Sequence, residues 1–131
     1  VIEFEIPGKP VAKKRPKFAR RGNFVKVYDP GQKEKEATKA HLLTVWSRNP
    51  IEGAVELNVG FYMPIPPSWS KKRQEAAVGQ PHIVKSDLDN ILKFYWDCMS
   101  GIVYVDDRQI HKLTATKKYD RNPRTSIQVL F

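Results

Sequence analysis

Apolar residues alternate with polar ones at Ile2, Phe4 and Ile6, which predicts a half-buried strand over residues 1–6, ended by Pro7-Gly8. The same alternation returns over residues 54–63, where Val55, Leu57, Val59 and Phe61 share a face, and stops at Pro64, Pro66 and Pro67. Two more strands are expected over 109–119 and 125–130, joined at Asp120-Arg121-Asn122-Pro123, with Thr125, Ile127 and Val129 facing inward. Elsewhere the period lengthens. Leu88, Ile91, Leu92, Tyr95 and Met99 recur at spacings of three and four, the pattern of an amphipathic helix capped by Ser86 or Asp87 and closed at Gly101. An earlier helix is expected to open with Asp29 as N-cap, Pro30 at its first position and Gln32 completing a capping box, and to run to about Trp46. A short helix over 71–78 ends at Gly79. Ile102-Val103-Tyr104-Val105 reads as a short strand returning along the acidic helix, which would bring Asp106 or Asp107 towards Asp87 and Asp89. Strands and helices alternate without an even βαβ repeat. The expected fold is therefore one α+β domain over 1–131, two-layered, with a mixed β-sheet and helices packed mainly on one face.

Charge changes the picture. The formal balance is +9, and between Ile6 and Tyr28 there are eight Lys and Arg residues and no acid. Such a run can be a solvated loop. Here it is interspersed with Phe18, Phe24 and Tyr28, as in nucleic-acid binders. Lys112, Lys117, Lys118, Arg121 and Arg124 add a second basic surface, and Lys71-Lys72-Arg73 follow Trp69, which reads equally as an exposed contact or a core anchor. No stretch approaches a membrane span, residues 1–7 lack a signal-peptide core, and the single Cys98 excludes an intramolecular disulfide, so a cytoplasmic setting is expected. Cys98 lies beside the apolar helix face and reads as a buried thiol. His41, His82 and His111 are scattered and do not suggest zinc.

Against this basic background five carboxylates gather at Asp87, Asp89, Asp97, Asp106 and Asp107. Asp89, Lys93 and Asp97 fall on one helix face, which could be a solvated row of ion pairs contributing about 0.2–0.5 kcal/mol each. Alternatively, Asp87 and Asp89 are hard oxygen ligands for Mg²⁺. An Asp-x-Asp motif alone does not decide between them.

The wider pattern does. Lys85-Ser86-Asp87-Leu88-Asp89-Asn90-Ile91-Leu92-Lys93, with Asp97 and then Gly101-Ile102-Val103-Tyr104-Val105-Asp106-Asp107-Arg108-Gln109-Ile110, closely resembles the signature of the RusA-type Holliday junction resolvases, small phage and bacterial endonucleases. Pro7-Gly8-Lys9-Pro10 with Lys13-Lys14-Arg15-Pro16 resembles the family's basic N-terminal motif, Ser68-Trp69-Ser70-Lys71-Lys72-Arg73 its middle motif, and Lys117-Lys118-Tyr119 its late basic strand. Ser86 stands where proline is common, and Cys98-Met99 where Ala-Leu is usual.

The resemblance implies Mg²⁺-dependent, structure-selective DNA cleavage, with Mn²⁺ as a substitute, on four-way junctions and by a homodimer that makes paired nicks. Asp87, Asp89 and Asp107 would be catalytic metal-binding acids, Asp106 a further candidate ligand and Lys93 the essential lysine, with Asp97 holding Lys93 in place. The candidate DNA contacts are Lys9, Lys13, Lys14, Arg15, Lys17, Arg20, Arg21, Lys71, Lys72, Arg73, Lys117 and Lys118. Two other classes are weighed against this. A non-catalytic basic domain binding branched nucleic acid would bind DNA without regard to metal. A small-molecule phosphohydrolase would leave the basic run unexplained.

Overall fold

The computed structural model describes residues 1–131, the side chain of Arg21 excepted. In chain order come β1 (Ile2–Pro7), β2 (Lys17–Arg21), β3 (Phe24–Tyr28), α1 (Gln32–Val45), β4 (Val55–Pro64), α2 (Lys71–Ala77), α3 (Leu88–Met99), a 3-10 turn (Asp107–Gln109), β5 (Ile110–Asp120) and β6 (Arg124–Leu130). Four strands form a mixed sheet in the order β1-β6-β4-β5, with β6 antiparallel to β1 and β4, and β5 parallel to β4. Parallel neighbours need a long crossover, and the β4 to β5 connection carries α2 and α3. The expected α+β class with a mixed sheet is the observed one.

Alternation decides which face of the sheet is wet. Val55, Leu57, Val59, Phe61 and Met63 of β4 are buried, while the residues between them are half-buried. The buried row joins Phe4, Ile6, Ile127 and Val129 of the neighbouring strands, Leu42 and Trp46 from the first helical region, and Ile91, Phe94, Tyr95, Cys98 and Met99 of α3 in one core. Across that core the Phe61 and Tyr95 rings lie 5.6 Å apart. On the other face, amides and hydroxyls line up: Asn58 Nδ2 donates to Gln128 Oε1 at 2.6 Å, and Gln128 Nε2 to Glu3 Oε1 at 2.9 Å. Residues 79–82 pair with the outer edge of β5, where Gly79 N donates to Tyr119 O at 2.8 Å and His82 N to Lys117 O at 2.9 Å. This covers an otherwise open edge and delivers the chain to α3.

Two local expectations are corrected, and one element is new. Helix α1 begins at Gln32 with Gly31 as N-cap; Asp29 Oδ1 instead accepts from Gly31 N at 2.8 Å, closing a turn ahead of the helix, and the Gln32 side chain reaches Glu36 rather than back to the cap. No strand returns after α3. Gly101, at φ 85°, starts a tight turn in which Gly101 N donates to Tyr104 O at 2.7 Å and Val103 N to Met99 O at 2.9 Å. Residues 102–105 are β-branched and aromatic because Val103 and Tyr104 drop fully into the core. They make only isolated bridges, Tyr104 to Ile51 and to Ser100. In addition, the second half of the basic run, for which no element was expected, is a hairpin. Gly22-Asn23 is the two-residue connection, and Gly22 supplies the positive φ of 58° that such a turn requires.

Candidate functional site

Helix α3 is the platform of the site. Its buried face seats it on the sheet, and the opposite face carries Asp89, Lys93 and Asp97 in a row spanning about 12 Å at 1.5 Å per residue. Lys93 Nζ lies 3.7 Å from Asp89 Oδ2, both side chains being well exposed. Asp97 does not hold Lys93 as expected. It accepts from Lys13 Nζ at 2.7 Å, a partner 84 positions away.

That ion pair is one of three ties between the N-terminal basic segment and α3. Val11 N donates to Tyr95 Oη at 3.1 Å, and Lys13 N to Asn90 O at 3.0 Å. Burial raises the proton affinity of the Tyr95 phenol, so it stays neutral as an acceptor. The result is an open groove of about 700 Å³ with Lys9, Lys13 and Lys14 on one side and Lys85, Ser86, Asp87 and Asn90 on the other. Asp87 is the N-cap residue of α3, yet its side chain makes no cap hydrogen bond and is exposed. Its carboxylate is available to the groove.

Asp106 and Asp107 are set by the 3-10 turn. Asp106 Oδ1 accepts from Arg108 N at 2.9 Å, Gln109 Oε1 accepts from Asp106 N at 2.8 Å, and Gln109 Nε2 donates to the carbonyls of Ile51 and Gly53 at 2.7 and 2.8 Å. Tyr104 O–H donates to Trp96 O at 2.7 Å and ties this turn to the C-terminal part of α3. Desolvation pushes the proton affinity of the Asp107 carboxyl up, the charge and hydrogen bond of Asp106 and the charge of Asp97 push it further, and Lys13 opposes them. The hydrogen bond to Asp97 in turn raises the proton affinity of Lys13. Asp107 thus comes under the charges of Asp106, Asp97 and Lys13. Its convergence on Asp87 and Asp89 depended on the missing return strand, and among the described residues no three His, Cys, Asp or Glu side chains group closely enough to hold a metal ion.

The chemistry of the donors still suits a hard divalent cation. Mg²⁺ binds through one or two carboxylates, substrate phosphate oxygens and retained waters, so it needs no closed protein cage. A carboxyl whose proton affinity is raised first by desolvation and then by two acidic neighbours is one that gains from a nearby cation.

The remaining expected contacts divide. Lys9, Lys14, Arg15, Lys17, Arg20, Lys71, Lys72 and Lys118 are exposed, and Lys14 lies 3.6 Å from Glu34. The side chain of Arg21 is outside the described residues. Arg73 stacks over Trp69 at 3.7 Å, and Trp69 lies against Tyr119 at 5.5 Å, which makes Trp69 a half-buried anchor. Burial pushes the Cys98 thiol up to about 11, leaving it a core side chain and no nucleophile.

Lys117 is the residue whose placement could not be read from the sequence. Its ammonium donates to Ser86 O at 2.6 Å and Val84 O at 3.0 Å, holding the segment that precedes Asp87. Lys117→Met is expected to cost about 1–2 kcal/mol in urea unfolding. It should also loosen the Asp87 end of α3, which loses its tether.

The family model for endodeoxyribonuclease RusA matches residues 7–130. The chain belongs to the RusA endodeoxyribonuclease family. It is also 33% identical over 136 residues to the "Uncharacterized protein YqaN" of Bacillus subtilis (strain 168), covering 98% of this chain and 94% of that protein. Membership of the RusA family carries endodeoxyribonuclease activity, with branched DNA as the implied substrate. Among the described residues no helix is long and apolar enough to cross a membrane.

Proposed function

We propose that this RusA-family chain is a Mg²⁺-dependent resolvase of four-way DNA junctions, acting as a homodimer in the cytoplasm of a bacterial or phage-infected cell. One observation carries the reading. The cationic segment 9–14 is tied directly along the acidic face of α3, so a backbone phosphate drawn in by Lys9, Lys13 and Lys14 is delivered beside carboxylates. Asp87 and Asp89 at one end of the face, and Asp107 with Asp106 and Asp97 at the other, are the groups that would hold Mg²⁺ or Mn²⁺. When bound there, such a cation would supply an activated water and offset phosphate charge. Lys93, midway along the row, donates to a phosphate oxygen or to the leaving 3′ oxygen as charge develops there. Lys13 can exchange its Asp97 partner for phosphate.

The test is incubation of the purified protein with labelled junction, duplex and single strand, with and without Mg²⁺. Cleavage confined to the junction and to the metal-containing reactions is expected. A non-catalytic binding domain would retain the junction and cut nothing under any metal.

Two further results should accompany it. Replacing Lys13, Lys14 and Arg15 together by Ala should flatten log K against log salt by about 2–3, since each phosphate contact contributes roughly 0.9 to the slope. An unchanged slope would place the DNA surface elsewhere. Sedimentation should give a dimer at micromolar concentration, because one acidic face cuts one strand and a junction needs two cuts related by a two-fold axis. A fully active monomer would exclude that arrangement.

A further inference from the structure

The β2–β3 hairpin is the least supported element of the fold. Among the described residues its strands pair only with each other. A lone two-stranded ribbon is marginal in water and is normally braced on an apolar surface. This one is instead apolar on the outside: Phe18 is 73% exposed, Phe24 79%, Val25 59% and Val27 58%. Directly opposed residues of an antiparallel pair project to the same side. The register therefore places Phe18 with Val27 and Arg20 with Val25 on one side of the ribbon, and Lys17 with Tyr28, Ala19 with Lys26 and, at the turn end, Phe24 on the other. One side is an apolar strip with an arginine at its outer end.

We propose that this strip is a base-contacting wedge: Phe18, Val25 and Val27 pack against bases unstacked at the branch point, while Lys17, Arg20 and Lys26 bind the flanking phosphates. The inference rests on the junction-nuclease reading above and adds to it the element that distinguishes a branch from a duplex. Charge selects the occupant. The hairpin carries basic residues and no acid, in a chain of net charge +9, so a second copy of the strip would bring Arg20 against a like charge, whereas DNA supplies both anions and apolar rings. A surface that only gripped phosphates would need no exposed phenylalanine or valines. Base faces are shielded inside a continuous stack and open where stacking is interrupted, and an aromatic or apolar side chain can occupy the gap. The hairpin also continues from the segment that lines the groove beside Asp87, so a strand held in that groove leads towards it.

Wild type, the double variant Phe18→Ala/Val27→Ala and Phe18→Trp are compared in EDTA, by mobility shift, on a junction carrying 2-aminopurine at the branch point and on the matching duplex. Wild type is expected to prefer the junction and to raise 2-aminopurine emission. The double variant should lose about tenfold on the junction, change less than twofold on the duplex and give no emission rise, while Phe18→Trp keeps junction affinity. Equal losses on both DNAs, or no loss on either, would overturn the wedge. A double variant that sediments as a monomer while wild type is a dimer would assign the strip to a second copy and overturn it as well. If wild type prefers the junction and the double variant keeps that preference, the wedge alone falls; if wild type binds no DNA, the junction-nuclease reading falls with it.

Discussion

Replacing Asp89 by Asn is expected to abolish junction cleavage while leaving junction binding unchanged or somewhat tighter. The amide keeps the shape of the carboxylate and loses its charge. A unit charge 4 Å from another contributes about 4 kcal/mol at an effective dielectric of 20, and twice that towards a divalent cation, so losing one ligand charge removes most of the hold on the metal. The same loss lowers repulsion between the α3 face and an incoming phosphate in metal-free protein. Stability should barely move, because Asp89 is exposed and its partner Lys93 is 3.7 Å away, a surface pair of well under about 1 kcal/mol. Asp87→Asn should behave alike. Asp107→Asn should also stop cleavage, but with a distinct effect on stability. The folded state raises the proton affinity of Asp107, so ionising it opposes folding, and that opposition grows as pH rises through its titration. An uncharged Asn is therefore expected to raise the melting temperature at neutral pH in EDTA. Binding in EDTA, cleavage in Mg²⁺ and melting on the same preparations check all three. Asp89→Asn protein that cuts at near wild-type rate would remove Asp89 from the site.

Phe61→Ala should cost about 3–5 kcal/mol and lower the melting temperature by more than about 10 °C. Phe61 is 1% exposed at the centre of the sheet and packs on Tyr95, so truncation leaves a cavity that the flanking strands β5 and β6 cannot collapse into. The damage should extend to function. Tyr95 loses the ring that fixes it, and its hydroxyl is what docks Val11 and with it the basic segment on α3. Junction affinity measured well below the melting temperature should fall even though no DNA contact has been touched. Tyr62→Ala, one residue along on the open face, should cost clearly less, since Tyr62 is only half-buried beneath Arg124. Urea unfolding of the pair tests the assignment of faces directly.

Local patterns were legible because they depend on near neighbours. The odd-numbered apolar row of β4, the buried stripe of α3, the end of α2 near Gly79 and the burial of Cys98 follow from periods of two and 3.6, and the structure shows them. The family was legible too, because its motifs are compact in sequence. Gly22-Asn23 was a readable hairpin signal, hidden by the density of charge around it. What only the tertiary structure decided are contacts between residues far apart in the chain. The run 102–105 has strand composition, yet Gly101 turns it into the core, and Asp107 comes under the charges of Asp106 and Asp97. Asp97 had a good partner four residues away in Lys93 and took Lys13, because the bonds from Val11 to Tyr95 and from Lys13 to Asn90 bring that ammonium onto α3. Lys117 resembled one more cation in a basic strand. The pairing of residues 79–82 with the edge of β5 set the carbonyls of Val84 and Ser86 within its reach. Composition and period determine which side chains are buried and which are charged; how the separate segments dock determines which charges meet.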